Sequence, residues 1–208
     1  MVPAAVVASG VPSTQPAVAR THPAGPASRP AEPLEVRAYR ATQQDALDAL
    51  ILAAALDWRL DPFLLKGLLY VESRLDPTRV NSRTGATGIA QMTAGGRRGV
   101  TNIRRARGVK ETFTRAHALD ARAAIPAAAE LLAHLGDQYG RDGALAGYNA
   151  GPWAGRLVQR AGYWHAKPRV GAFVLLVLRE ANRLRREAGL PPLPSPPRRR
   201  APAALPNT

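Results

Sequence analysis

The chain has 208 residues, enough for one domain with tails rather than two full domains. Hydrophobic residues make up 46%, charged residues 21% and aromatic residues only 5%, which excludes wholesale disorder and favours helices over a sandwich or barrel. Cysteine is absent, which excludes disulfides, thiolate metal sites and cysteine nucleophiles, and the net charge of +14 predicts attraction to anionic polymers without choosing among nucleic acid, phospholipid, lipopolysaccharide and bacterial wall.

Prolines mark the tails. Of 19 prolines, only Pro62, Pro77, Pro126, Pro152 and Pro168 lie between Pro33 and Pro191. Proline blocks helix interiors, and neither end carries a periodic apolar pattern. Residues 1–37 therefore read as a disordered Pro/Ala-rich segment, 38–189 as one domain and 190–208 as a disordered Pro/Arg-rich tail. The apolar stretch at 2–10 ends in small residues as a signal peptide does, but no Lys or Arg precedes it. No run approaches the ~18 apolar residues of a membrane span.

Within the domain, Thr42-Gln-Gln-Asp45 predicts a capped helix start, with Ala46, Leu47, Leu50, Ile51 and Ala54 at helical spacing. A second start is sharper: Asp61 caps, Pro62 suits the first helical position, and Leu64, Leu65, Leu68, Leu69 and Val71 follow. That helix is expected to end near Arg74, before Asp76-Pro77. Five glycines from Gly85 to Gly99 predict a loop-rich region with one short helix around Ile89 to Met92. Pro126 is expected to open a further helix that stops at Gly136 or Gly140, Asp142 to cap a short one ending at Gly151-Pro152, and Pro168 to open the last long helix. Its stripe Val170, Phe173, Val174, Val177 and Leu178 predicts packing against the domain. The fold class is mainly α.

Glu72 stands out on placement. It falls in the last turn of an apolar helix, where the negative dipole end and apolar neighbours both raise a carboxyl pKa. A general acid working near neutrality needs that shift, although an ordinary exposed residue at a fraying helix end fits the same position.

Residues 72–92, ESRLDPTRVNSRTGATGIAQM, and 147–152, GYNAGP, complete a pattern. With the preceding DPFLLKGLLYVES they resemble the lytic transglycosylase domain of the soluble (SLT) type, a relative of goose-type lysozyme. The matching positions are Glu72-Ser73, then Ser82, Gly85, Ala86, Gly88 and Gln91, then Tyr148-Asn149-Ala150-Gly151. The resemblance spans roughly residues 42–180 and implies a lysozyme-like helical fold. It implies cleavage of the bond between N-acetylmuramic acid and N-acetylglucosamine in peptidoglycan, without water and with no metal or other cofactor. One glutamate, here Glu72, acts first as acid on the glycosidic oxygen. It then acts as base on the muramyl C6 hydroxyl, which closes a 1,6-anhydro ring. Ser82 and Gln91 are implied to line the cleft and hydrogen-bond the sugar or its acetamido group, Tyr148 to approach Glu72 and help hold its carboxyl in position, and Asn149 to bond backbone in the turn or to bind the substrate. Between Asp76 and Glu111 no acidic residue occurs, consistent with a single carboxylate.

Three departures bear on substrate preference rather than on the acid. The usual Gly-Leu-Met-Gln is Gly88-Ile89-Ala90-Gln91, the proline after this loop is missing, and Ala124-Ile125 replaces the usual Asn-Ile. Arg79, Arg83, Arg97, Arg98, Arg104, Arg105, Arg107 and Lys110 form an acid-free basic run that suits an anionic wall polymer, nucleic acid phosphates or plain solvation. No specific nucleic acid is expected. Arg198-Arg199-Arg200 reads as a general electrostatic handle. The four histidines show no ligand spacing, and Trp58, Trp153 and Trp164 suit either core or sugar stacking.

Peptidoglycan glycan strands are thus the expected partner, at the cell envelope or periplasm. Export by a dedicated secretion machine, a different start, or carriage in a phage particle would each bring the chain there. A lysozyme-like muramidase on the same fold, and a non-catalytic basic wall- or nucleic-acid-binding module, are the competing readings.

Overall fold

The computed structural model describes residues 32–162, 165 and 167–194. These form eight α-helices: α1 Leu34–Ala41, α2 Ala46–Asp57, α3 Pro62–Ser73, α4 Ala94–Ala106, α5 Arg115–Leu119, α6 Ala121–Ala150, α7 Pro152–Ala161 and α8 Pro168–Glu187. Extended pairing among the described residues is confined to the isolated bridges Val80–Thr87 and Thr87–Met92. The fold is mainly α, as the composition and periodicity required.

The helix α3 sits at the centre because it is apolar nearly all round. Leu65 and Leu69 join Ile51, Ile89 and Ile125 in one buried cluster, while Leu64 and Leu68 join Leu145, Val174 and Val177 in the other. The expected α8 stripe is buried in full. Asp61 caps α3 by accepting from the Phe63 and Leu64 amides at 2.8 and 3.3 Å. Its other carboxylate oxygen pairs with Arg185 of α8. Burial pushes the Asp61 carboxyl up despite that guanidinium, so the pair is held in a poorly solvated place. Removing the cation would strand the carboxylate. Arg185→Met is expected to cost about 3 kcal/mol in urea unfolding, and adding Asp61→Asn, which keeps a capping side chain, to recover part of it.

Several boundaries differ from the sequence expectation. The helix α1 opens at Leu34, inside the segment expected to be irregular, because Val36 and Tyr39 are buried against α2 and α3. At the other end Leu190 is buried, and Pro191 O and the Leu193 amide bond to Arg185 and Asn182 of α8. The remaining tail residues, Arg198–Arg200 and Trp164 lie outside the described residues. Asp45, not Thr42, caps α2, accepting from the Asp48 amide at 2.9 Å. Asp48 itself is buried and takes bonds from Tyr39 Oη at 2.8 Å and Lys66 Nζ at 2.5 Å, which ties α1 and α2 to α3.

The helix expected from Pro126 opens at Ala121, capped by Asp120. Pro126 is tolerated because the carbonyl it leaves unpartnered belongs to exposed Arg122. At Gly140 the backbone leaves the helix (φ 69°, ψ 174°), a conformation cheap only for glycine, and α6 resumes in a new direction. Asp142 accepts Arg141 Nε at 2.7 Å rather than capping. The short helix expected at Ile89 to Met92 is a turn, while α4, α5 and α7 were not anticipated. Glu130, buried on α6, pairs with Arg104 and Arg107 and fixes α4 in place.

Candidate active site

Glu72 lies at the end of α3, on a cleft of about 780 Å³ walled by the 79–92 loop, α4 and the second half of α6. Immediately after it, Arg74 (φ 61°) and Leu75 (φ 64°) adopt left-handed backbone, and Gln91 (φ 44°) does so across the cleft. Non-glycine residues pay of order 1–3 kcal/mol each for such conformations, which gather where surrounding structure is organised for function.

The loop is held against α3 and α6 by two hydroxyls on consecutive carbonyls. Ser73 Oγ donates to Ile89 O at 2.7 Å, and Tyr148 Oη donates to Ala90 O at 2.9 Å. Gln91 closes the loop on itself, with Nε2 donating to Gly88 O at 2.9 Å and Arg79 O at 3.0 Å. These side chains fix the wall that faces Glu72.

The Glu72 carboxyl is half-buried, and among the described residues it has no hydrogen-bond or ion-pair partner. Burial alone pushes its pKa up to about 8. A carboxyl that stays protonated at neutrality is equipped to give a proton to a bound oxygen and to take one back. The Tyr148 phenol is also shifted up, first by burial and then by the charge of Glu72, so the two groups are electrostatic neighbours. Tyr148 bonds the loop rather than the carboxyl. Tyr148→Phe is therefore expected to leave buried Ala90 O unpaired and to cost about 1–2 kcal/mol in thermal or urea unfolding.

Of the residues expected at the site, Glu72, Gln91, Tyr148 and Asn149 line one cleft. Ser82 does not; it is exposed on the outer turn of the loop, and Asn81 and Thr84 line the cleft instead. The difference arises because Asn81 Oδ1 accepts from the Arg83 and Thr84 amides, an Asx turn that rolls Ser82 outward. Asn149 Oδ1 is buried and has no hydrogen-bond partner among the described residues, leaving an acceptor free beside the cleft. Arg98 of the basic run lines it, as do Asn102 of α4 and Arg169, which carry no sequence signal of their own. The signal for α4 was Thr93, which caps it by accepting from the Gly96 amide, but three glycines in the following residues masked the helix. No cluster of three or more potential metal ligands occurs among the described residues.

The sequence profile of the transglycosylase SLT domain matches residues 49–168, more than half of the chain. The chain belongs to the SLT transglycosylase domain family. No curated protein matches it. Two solved structures are similar to this SLT domain. One is the 70 kDa soluble lytic transglycosylase of Escherichia coli, at 20% identity and a TM-score of 0.59, covering 69% of this chain and 24% of that one. The other is an inactive Glu-to-Gln mutant of the lytic transglycosylase Slt from Pseudomonas aeruginosa, at 20% identity and a TM-score of 0.58, covering 75% and 28%. The chain thus matches about a quarter of the length of each, and the likeness shows a shared lysozyme-like helical fold.

Proposed function

We propose that this SLT domain cleaves the β-1,4 bond between N-acetylmuramic acid and N-acetylglucosamine in peptidoglycan and leaves 1,6-anhydromuramyl ends. The observation that carries the reading is Glu72: one partly buried carboxyl with a raised pKa that, among the described residues, has no partner and shares its cleft with no other carboxylate. Protonated Glu72 donates to the glycosidic oxygen as the bond to the anomeric carbon breaks. The resulting carboxylate takes the proton from the muramyl C6 hydroxyl, whose oxygen bonds to the anomeric carbon. The proton balance closes on Glu72, and no water is consumed.

Glycosidases that work through water or a covalent intermediate use a pair of carboxylates flanking the bond. Here the nearest acid in sequence, Asp76, is exposed and occupied by the Thr78 amide and hydroxyl at 2.8 and 2.7 Å. The free Asn149 acceptor suits an acetamido N–H of a bound sugar, and Gln91 and Tyr148 serve by holding the loop. The Pseudomonas protein is inactive with a glutamate replaced by glutamine, the behaviour this reading expects of Glu72. No helix among the described residues is long and apolar enough to cross a membrane. The substrate places the work at the cell envelope.

Digestion of purified peptidoglycan followed by mass spectrometry of the released fragments tests the proposal. Anhydromuramyl products, lighter by one water than hydrolysed ones, are expected. Reducing ends would make the protein a muramidase, and binding without any product would make it a wall-binding module.

A further inference from the structure

A second groove, of about 390 Å³, runs along the outer face of α4 and meets the cleft at Arg98 and Asn102, which line both. Positions 98, 102 and 105 recur at helical spacing, so Arg98, Asn102 and Arg105 project from one face. Arg97 and the hydroxyl of Thr112 complete the polar lining.

The five arginines from 97 to 107 are not equivalent. Arg104 and Arg107 share the one carboxylate of buried Glu130, and Arg107 also stacks on Trp58 at 4.8 Å. Arg97, Arg98 and Arg105 have no carboxylate partner among the described residues. Arg97 Nη1 donates to Met92 O at 2.9 Å, and Arg105 Nη2 donates to Thr112 Oγ1 at 3.2 Å, which leaves further donors on each guanidinium. The facing wall is fixed, because the Phe113 amide donates to the buried Thr101 hydroxyl at 3.0 Å. Glu111, the nearest acid in sequence, turns toward His117 at 3.7 Å and does not line the groove. The result is a preformed groove with three guanidinium groups and, among the described residues, no carboxylate to pair with them.

We infer that this groove is an anion site that binds acidic substituents carried by the same wall strand whose sugars lie in the cleft. The inference rests on the reading of the cleft as a glycan site. Arg98 and Arg105 stand about 10 Å apart along the helix, which suits two carboxylates on one short peptide better than a single ion. The peptides attached to a glycan strand carry such carboxylates. Continuity with the cleft through Arg98 and Asn102 lets a strand occupy both places at once.

The test uses the full chain carrying Glu72→Gln, so that strands are bound and not cut. Affinity is measured for soluble glycan strands bearing their peptides and for the same strands after an amidase has removed them. Adding Arg105→Glu is expected to weaken binding of the peptide-bearing strands about tenfold, the size of one charge-assisted pair, and to change stripped strands less than twofold. The loss should shrink at high salt, and Arg105→Lys should restore most of the affinity. Equal losses on both strands when neither carries a phosphate polymer, or no loss on either, would overturn the inference. Arg105-dependent binding of stripped strands that carry a phosphate polymer would uphold the anion site and name phosphate as its source. Parallel digests with the wild-type chain separate the two readings. Cutting without any Arg105 effect overturns the groove alone; Arg105-dependent binding without cutting overturns the assigned cleavage alone.

Discussion

Glu72→Gln is expected to lower peptidoglycan cleavage by about 10²–10⁴-fold, the range that a positioned general acid contributes. Glutamine keeps the size and polarity of the side chain but cannot deliver or recover a proton. No partner among the described residues is lost with it, so the fold should persist, which circular dichroism would confirm. In the wild type, the acid must be protonated to act, and burial places its pKa at about 8. Cleavage should therefore fall as pH rises through that region, a limb that an ordinary carboxyl would place several units lower.

The same shift fixes the sign of a stability difference. Folding raises the Glu72 pKa, so the native state holds the proton more tightly than the unfolded chain. Stability from this group is complete below the unfolded-state pKa and is lost as pH rises through the folded-state value. Glu72→Gln should match the wild type in acid and become the more stable protein toward neutrality, by at most about 3 kcal/mol near pH 7. Urea midpoints at pH 4 and pH 7 would read this directly. A variant less stable than the wild type at pH 7 would contradict the burial of the carboxyl.

The central parts of this arrangement were legible in the sequence, and the reasons are physical. Asp61-Pro62 announces α3 because capping and a missing amide act locally, without help from tertiary structure. Glu72 was marked by its apolar helix, and burial then supplied the shift that placement suggested. What remained hidden depends on distant contacts. α1 exists because Tyr39 reaches Asp48 and packs edge-on to Phe63 with ring centroids 5.0 Å apart, a gain no local pattern displays. α4 carries glycines that weaken a free helix, yet Val100 is fully buried and Arg104 is clamped by Glu130. Tertiary packing overrode propensity there. Ser82 was misplaced because a motif specifies order along the chain, whereas the Asx turn at Asn81 decides which side chain faces the cleft.

Gly88→Ala is the substitution expected to do most damage away from the carboxyl. At this position φ is +76°, a region that residues with a Cβ adopt only under strain. A Cβ there would also meet Ala118 O at 1.6 Å and its carbonyl carbon at 2.7 Å. Backbone, not a flexible side chain, stands in the way, so either α5 or the loop must shift. The loop cannot move alone. Gly88 O accepts from Gln91, Ile89 O from Ser73 and Ala90 O from Tyr148, and all three bonds set the wall opposite Glu72. The combined strain and lost bonds should cost about 3 kcal/mol or more, or roughly 6–12 °C in melting temperature for a domain of this size. Calorimetry should show that fall, and cleavage should drop even at temperatures where the variant is folded, because the carboxyl would face a displaced wall. A Gly88→Ala protein with an unchanged melting temperature would mean that the loop does not press against α5 as the structure places it. Gly85→Ala is the internal comparison. It shares the positive φ, at 68°, but nothing lies within 4 Å of its Cβ, so it should lose only the backbone part, about 1 kcal/mol. The difference between the two variants isolates the contact with Ala118, and with it the register of the loop that faces the proposed acid.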